Sequence, residues 1–406
     1  LPQYTITIDR LGGLGDGSGM HEGLPVFVSK SCIGDVLEVE ETSAKSDSKR
    51  AEILRVITPG KDRVDPLCDH YAQCGGCSLQ HLSGDAYKEF KQAVITSAMS
   101  YAGFPDITPT FHFLEAASRR RADFKVEKGK LAYVSGKSHD RVAISKCPIL
   151  VPELQALIAP LNKLLVLFPF VTGLAMTRAD TGIDILLQVT SSQGGLDAYQ
   201  DLADALPITR LSVQWPNKSI NSLAQKDVIF MNLGKHAVPI PADSFLQASA
   251  EAQAIMTRIV VEETKGSSPI VDLFSGIGTY SFPMSDNRAR VHAVDNNGPM
   301  IDHIRSISPQ VSVQKRDLFL NPLTTAELSK FKAAVINPPR MGASAQVKQL
   351  AASGIKKIVM ISCNHATWGR DAKTLKDAGY SLKSVDAIDQ FVYSPHLELV
   401  SVFTRS

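Results

Sequence analysis

Long apolar runs are missing from this chain of 406 residues. None approaches the roughly 20 residues that cross a bilayer as a helix, so a membrane partner is not expected. No charged-then-apolar leader opens the residues as they stand. Six cysteines are too few, with no such leader, for a disulfide framework. These absences predict a reducing compartment, the cytoplasm. A strong charge of one sign is also missing: the net charge is +2, so any nucleic-acid contact must come from local patches rather than a global field. One local patch is present, Arg119-Arg120-Arg121 with Lys125, Lys128 and Lys130 beyond it. It is expected to hold phosphates, with salt-sensitive affinity. Internal repeats and low-complexity tracts are absent. What remains is ordinary globular composition, 44% hydrophobic and 21% charged, long enough for two or three domains. A monomer is the default expectation.

Three regions follow from the patterning. Residues 1–58 alternate apolar and polar positions at Tyr4, Ile6 and Ile8, carry glycines at 12, 13, 15, 17 and 19, and then supply further short strand candidates. This predicts a small OB-like β-barrel, a fold that often binds RNA. Residues 59–79 and 107–237 form a central region. Residues 80–106, helical in pattern, are grouped with 238–406, where strand candidates alternate with helices from Ile270 to Thr404. That alternation predicts an α/β, Rossmann-like, doubly wound and mostly parallel sheet.

The cysteines divide into two groups. Cys68, Cys74 and Cys77 lie in one short run, and Cys147 follows before Pro148. Four thiolates can hold zinc or an iron–sulfur cubane. Paired C-x-x-C units would favour zinc; one Cys-x5-Cys-x2-Cys run with a distant Cys-Pro favours the cubane. Cys363 stands alone, just after the apolar run Lys357–Ser362. A thiol at the C-terminal end of a parallel strand is placed for chemistry.

The run Val271-Asp272-Leu273-Phe274-Ser275-Gly276-Ile277-Gly278-Thr279 feeds a strand into a glycine turn, where backbone can approach a ligand closely. Asp295 ends the next strand candidate and can accept both hydroxyls of an adenosine ribose. This layout suits S-adenosylmethionine. A nicotinamide cofactor fits less well, because Ser281 stands where G-x-G-x-x-G needs its third glycine. Asn337-Pro338-Pro339-Arg340 ends the fourth strand with a rigid loop that can present Asn337 to a substrate base.

Taken together, Asp272-Leu273-Phe274-Ser275-Gly276-Ile277-Gly278, Asn337-Pro338-Pro339-Arg340, Ser362-Cys363-Asn364 with Thr367 and Arg370-Asp371, and Pro395-His396-Leu397-Glu398-Leu399-Val400 resemble the ordered motifs of the RNA 5-methyluridine methyltransferases. The resemblance runs along nearly the whole chain. The N-terminal barrel resembles the TRAM domain of many members. The Cys68, Cys74, Cys77, Cys147 set resembles the [4Fe-4S] site of the subgroup that modifies 23S ribosomal RNA. Two positions depart from the pattern: Asn337 stands where the family usually has Asp, and His365 where it usually has Pro.

The resemblance implies an S-adenosylmethionine pocket lined by Gln247, Phe274, Thr279, Asp295, Asp317 and Asn337. It implies an enzyme that methylates uridine C5 through a covalent bond from Cys363 to C6, with Glu398 as the base that then removes the C5 proton. The target base must leave its stack to reach such a site. A transfer-RNA substrate is the alternative to ribosomal RNA. An exocyclic-amine methyltransferase built on Asn337-Pro338-Pro339 and a non-catalytic RNA-binding protein are the competitors from other classes.

Overall fold

The computed structural model describes residues 1–136, 140–191 and 195–405. The chain divides into two compact units. One comprises Leu1–Ile95, Tyr133–Val142 and Phe391–Pro395; the other comprises Thr96–Ala132, Ala143–Gln390 and His396–Ser406. No helix among the described residues is long and apolar enough to cross a membrane.

The first unit is built on six strands. Gln3–Thr7 pairs with Val36–Ala44, which pairs with Lys49–Thr58; Leu24–Val28, Gly17–His21 and Arg10–Leu11 follow in that order across the sheet. Alternation places Ile6, Ile8, Val26, Val28, Leu37, Val39 and Ala51 on one buried face, the core of this unit. The glycine run has a steric reason at Gly19, where a Cβ would collide with the Thr7 carbonyl. After the last strand the chain enters the loop that carries Cys68, Cys74 and Cys77, and then the helix Gly84–Ala102.

That loop is tied down by a polar network. Asp35 is fully buried and takes Arg63 on both oxygens, Nε to Oδ1 at 2.8 Å and Nη2 to Oδ2 at 2.6 Å. The Arg63 Nη2 also donates to the Lys30 carbonyl at 2.9 Å. The Lys30 ammonium in turn donates to the carbonyls of Tyr71 and Cys74. The His81 ring bridges the Tyr71 hydroxyl at 2.7 Å and the Ser31 carbonyl at 3.0 Å, and burial pushes it down to about 4. The imidazole is therefore neutral at physiological pH.

The second unit contains two sheets relevant here. In one, Arg121–Glu127, Val171–Ala179, Gly182–Val189, Arg210–Gln214 and Ile220–Gln225 lie side by side. The other has eight strands, in the order Val311–Lys315, Val291–Asp295, Ile270–Leu273, Ala333–Ile336, Lys357–Ser362, Glu398–Thr404, Ser381–Asp389 and Thr110–Phe113. The first five are mutually parallel, and Glu398–Thr404 runs antiparallel to both neighbours. The strand candidates read from the sequence in this half all form. Thr110–Phe113, grouped by sequence with the central region, instead pairs with Ser381–Asp389 as an outer strand of this sheet.

Strand order reverses between Ile270–Leu273 and Ala333–Ile336, since the second and third strands extend one way and the fourth and fifth the other. A crevice at the carboxyl ends of strands flanking such a reversal is where ligands of open α/β sheets bind. Phe274 and Asn337 are the residues directly after those two strands.

Candidate active site

The glycine turn after Ile270–Leu273 is shaped for close approach. Phe274, Gly276 and Gly278 have positive φ of 62°, 55° and 86°. For phenylalanine this is a strained conformation, of the kind that clusters at binding sites. Asp295 braces the turn, accepting the Gly276 N–H on Oδ2 and the Asn297 N–H on Oδ1, both at 2.9 Å. Each carboxylate oxygen keeps a lone pair for a hydroxyl ligand. Asp317 accepts the N–H groups of Phe319 and Leu320 at 2.9 and 3.2 Å. It caps its own turn and so carries Phe319 to 5.3 Å from Phe274, ring to ring. Phe274, Asp295, Asp317 and Asn337 thus all follow or end neighbouring parallel strands. Thr279 lies elsewhere: it lines a cavity of about 460 Å³ with Arg120, Asp180, Gln253 and Arg258.

Cys363 follows the strand Lys357–Ser362 and precedes Asn364, the N-cap of the helix His365–Asp377. The proline-rich loop is laced to this turn: the Arg340 carbonyl accepts from Asn364 Nδ2 at 3.2 Å and Thr367 Oγ1 at 3.3 Å. The Arg340 side chain bonds the His396 ring at 2.7 Å. Burial pushes the Cys363 thiol up to about 11, and the Glu398 charge adds to this, with Arg340 opposing. Burial also depresses His365, helped by Arg340.

Glu398 opens the strand Glu398–Thr404 and is 3% exposed. Burial pushes its carboxyl up to about 8, and the Gln390 amide, at 2.6 Å from Oε2, is the one group that pulls it back. The same Gln390 nitrogen donates to Gln247 Oε1 at 3.0 Å. One side-chain amide therefore joins the expected cofactor residue to the expected base. The Tyr280 phenol is raised by burial and by the Glu398 charge. Behind the glycine turn, burial lifts Asp272 to about 7 despite a bond from Ser281 Oγ at 2.5 Å.

Sequence reasoning missed Gln390, a single polar residue after a strand, and it misjudged the arginine run. Arg120 is only 3% exposed, and its guanidinium donates to the Gln247 carbonyl at 2.9 Å and to Gln253 Oε1 at 2.6 Å. Arg121 donates to the Ser244 carbonyl at 2.8 Å, and Arg119 to the Arg121 carbonyl at 2.8 Å. The run braces the segment 244–247 rather than presenting three free cations to phosphate. Alternation at the entry to the strand Arg121–Glu127 was the available signal, since it turns one arginine of the three inward.

Cys68, Cys74 and Cys77 are half-buried thiols in the first unit; Cys147 is a buried thiol in the second. The Cys74 sulfur accepts the Gly76 N–H at 3.3 Å. Among the described residues, no three or more His, Cys, Asp or Glu side chains gather closely enough for a single metal ion.

Residues 231–406 match the family described as tRNA (Uracil-5-)-methyltransferase. An RNA methyltransferase of Caulobacter vibrioides, itself uncharacterized, is 34% identical across 98% of this chain and 99% of its own length. The chain belongs to this family of RNA methyltransferases. Within this family, the 23S rRNA (uracil(1939)-C(5))-methyltransferase RlmD of Shewanella sediminis is 28% identical to the enzyme over 99% of this chain. In fold, the enzyme is similar to the tRNA (uracil-54, C5)-methyltransferase of Pyrococcus abyssi, solved with S-adenosyl-L-homocysteine: the TM-score is 0.79 at 22% identity, over 98% of this chain and 99% of that one.

Proposed function

We infer that this enzyme transfers the methyl group of S-adenosylmethionine to C5 of a uridine in RNA, with Cys363 as nucleophile and Glu398 as base. The observation that carries this reading is the electrostatic pairing of a thiol with a water-excluded carboxyl group at the ends of adjacent strands, each lifted above its ordinary range. Perturbed pairs of this kind mark sites of proton transfer.

C5 of uracil is a poor nucleophile. Once the thiol has lost its proton to solvent, addition of the Cys363 thiolate to C6 breaks the C5–C6 π bond and moves that electron pair toward C5 and O4. C5 then forms a bond to the methyl carbon as the donor's methyl–sulfur bond breaks, its electron pair going to the sulfonium sulfur, so that S-adenosylhomocysteine is the leaving group. The ring now carries a proton and a methyl group on C5. The Glu398 carboxylate takes the proton, the C–H pair restores the C5–C6 double bond, and the C6–S bond breaks with its electrons returning to sulfur. At neutral pH a carboxyl group near 8 is mostly protonated, which relieves the charge that opposes thiolate formation. The same group must then ionise to act as the base, so product release rises with pH on the alkaline side of 7.

Gln247, Phe274, Asp295, Asp317 and Asn337 are assigned to the methyl donor, and Thr279, which lines the separate cavity with Arg120 and Arg258, is not. Asp295 suits the ribose hydroxyls, with lone pairs left on both oxygens. Phe274 and Phe319 suit the adenine faces. Asn337 supplies an amide where the family usually supplies a carboxylate.

Cys68, Cys74, Cys77 and Cys147 are assigned to a [4Fe-4S] cluster. Four thiolates on one zinc would be packed against one another. A cubane spreads them over four irons, and the Cys-x5-Cys-x2-Cys run with a distant Cys-Pro favours it over zinc. With four protein ligands a cluster leaves no iron open and serves structure. The six-stranded N-terminal sheet is assigned as a TRAM-type RNA-binding barrel. Ribosomal RNA is the favoured substrate, on the cysteine set and the similarity to RlmD, and the cytoplasm the expected location. An exocyclic-amine reading of Asn337-Pro338-Pro339 gives no role to Cys363. Trapping with RNA containing 5-fluorouridine decides between them: the wild type forms a protein–RNA adduct stable to denaturant, and Cys363→Ala forms none. Full turnover by Cys363→Ala would eliminate the covalent scheme.

A further inference from the structure

Gln390 is 2% exposed and follows directly on the strand Ser381–Asp389. Its side-chain oxygen accepts the Ala248 N–H at 3.2 Å. That bond fixes the amide orientation, because a flipped amide would set its NH2 against a backbone donor and its oxygen against a carboxylate. Both N–H groups are then committed, one to Glu398 Oε2 at 2.6 Å and one to Gln247 Oε1 at 3.0 Å. The far side of Gln247 is held as well. Arg120 donates from Nε to the Gln247 carbonyl at 2.9 Å and from its backbone N–H to the Ala248 carbonyl at 2.8 Å. The result is a buried relay from Arg120 through Gln247 and Gln390 to Glu398.

We propose that Gln390 is the positioning residue of this enzyme, fixing the Glu398 carboxylate for proton removal and tying it to the cofactor-side residue Gln247. This rests on the reading of Glu398 as the base. The Gln390 N–H occupies Oε2 and leaves Oε1 for the C5 proton. Its donation favours the ionised carboxylate against burial. The other titratable groups facing that carboxylate, the Cys363 thiol and the Tyr280 phenol, are both held protonated through the neutral range. Burial sets the raised value at Glu398, and Gln390 is the group that lowers the pH at which the base becomes available. The shared nitrogen also makes the base sensitive to what is bound at Gln247.

The test uses Gln390→Met and Gln390→Glu in the full-length enzyme. Adduct formation with 5-fluorouridine RNA counts competent sites, so release rates per trapped site are independent of any misfolded fraction. With ordinary RNA, release of methylated product in a single turnover is expected to slow about 10- to 100-fold in Gln390→Met, the worth of a hydrogen bond to a charged group. Its pH midpoint is expected to move upward, and further upward in Gln390→Glu, where a second carboxyl group faces the first. The extent of trapping per folded molecule stays at the wild-type level. A wild-type release rate per trapped site with an unmoved midpoint in both variants would overturn the proposal, even if both melt earlier. The parallel variant Glu398→Gln separates the two ideas. If it releases product at the wild-type rate, the assignment of the base fails. If it stalls while both Gln390 variants do not, only the role of Gln390 fails.

Discussion

Asp35 in the first unit and Glu398 in the second are both removed from water, at 0% and 3% exposure, yet their environments act in opposite directions. Burial raises both. At Asp35 the Arg63 guanidinium, with the N–H groups of Gly60 and Cys32, outweighs it and leaves the carboxyl group below its ordinary range. At Glu398 only a neutral amide opposes burial, and the group climbs to about 8. A buried acid with a cation and full hydrogen bonding is a structural fastener, here for the turn beside the cysteine loop. A buried acid without a cation is held near the protonation midpoint of working pH, where proton transfer is possible. The difference lies in the partners, not in the depth.

The largest effect expected from this contrast is at the uncompensated acid. Glu398→Gln should leave methylated RNA covalently attached to protein, with release slowed about 10²- to 10⁴-fold, as for loss of a general base; denaturing gels of a single-turnover reaction read this directly. The compensated acid should matter to stability instead. Asp35→Asn strands Arg63 without its counter-charge and should destabilise the first unit by about 3–5 kcal/mol, measured by urea unfolding. The sign with pH follows from the depressed carboxyl group. Its stabilisation is present above the ordinary value of 3.8 and is lost as pH falls through the lower folded value. The opposite slope with pH is expected at Glu398. A raised carboxyl group gives stability that is full below its ordinary value of 4.5 and lost as pH rises through about 8. Glu398→Gln cannot ionise, so its melting temperature relative to wild type should climb between pH 5 and 9. A constant difference would mean that Glu398 titrates like an exposed acid.

Much of this was legible in the sequence. Strand–helix alternation located the parallel sheet because a doubly wound strand is buried on both faces and reads as an apolar run. Cys363 was legible from its place directly after such a run. The places of Asp295 and the glycine turn, at the ends of neighbouring strands, were legible for the same reason. Gln390 was not, because its meaning is in its partners, Gln247 and Glu398, and nothing in the spacing along the chain brings those three together. Arg120 was misread because a run of three cations looks solvated until the chain, entering the sheet, turns the middle one inward. Thr110–Phe113 was assigned to the wrong region because four residues are too few to state which sheet they join.

The central claim is that a carboxyl group lifted by burial removes the C5 proton. Product release from the enzyme–RNA adduct, followed in single turnovers from pH 6 to 9, tests it most directly. The rate should rise with one ionisation on the alkaline side of 7 in wild type and lose that dependence in Glu398→Gln. A profile that is flat in wild type, or unchanged in Glu398→Gln, would contradict it.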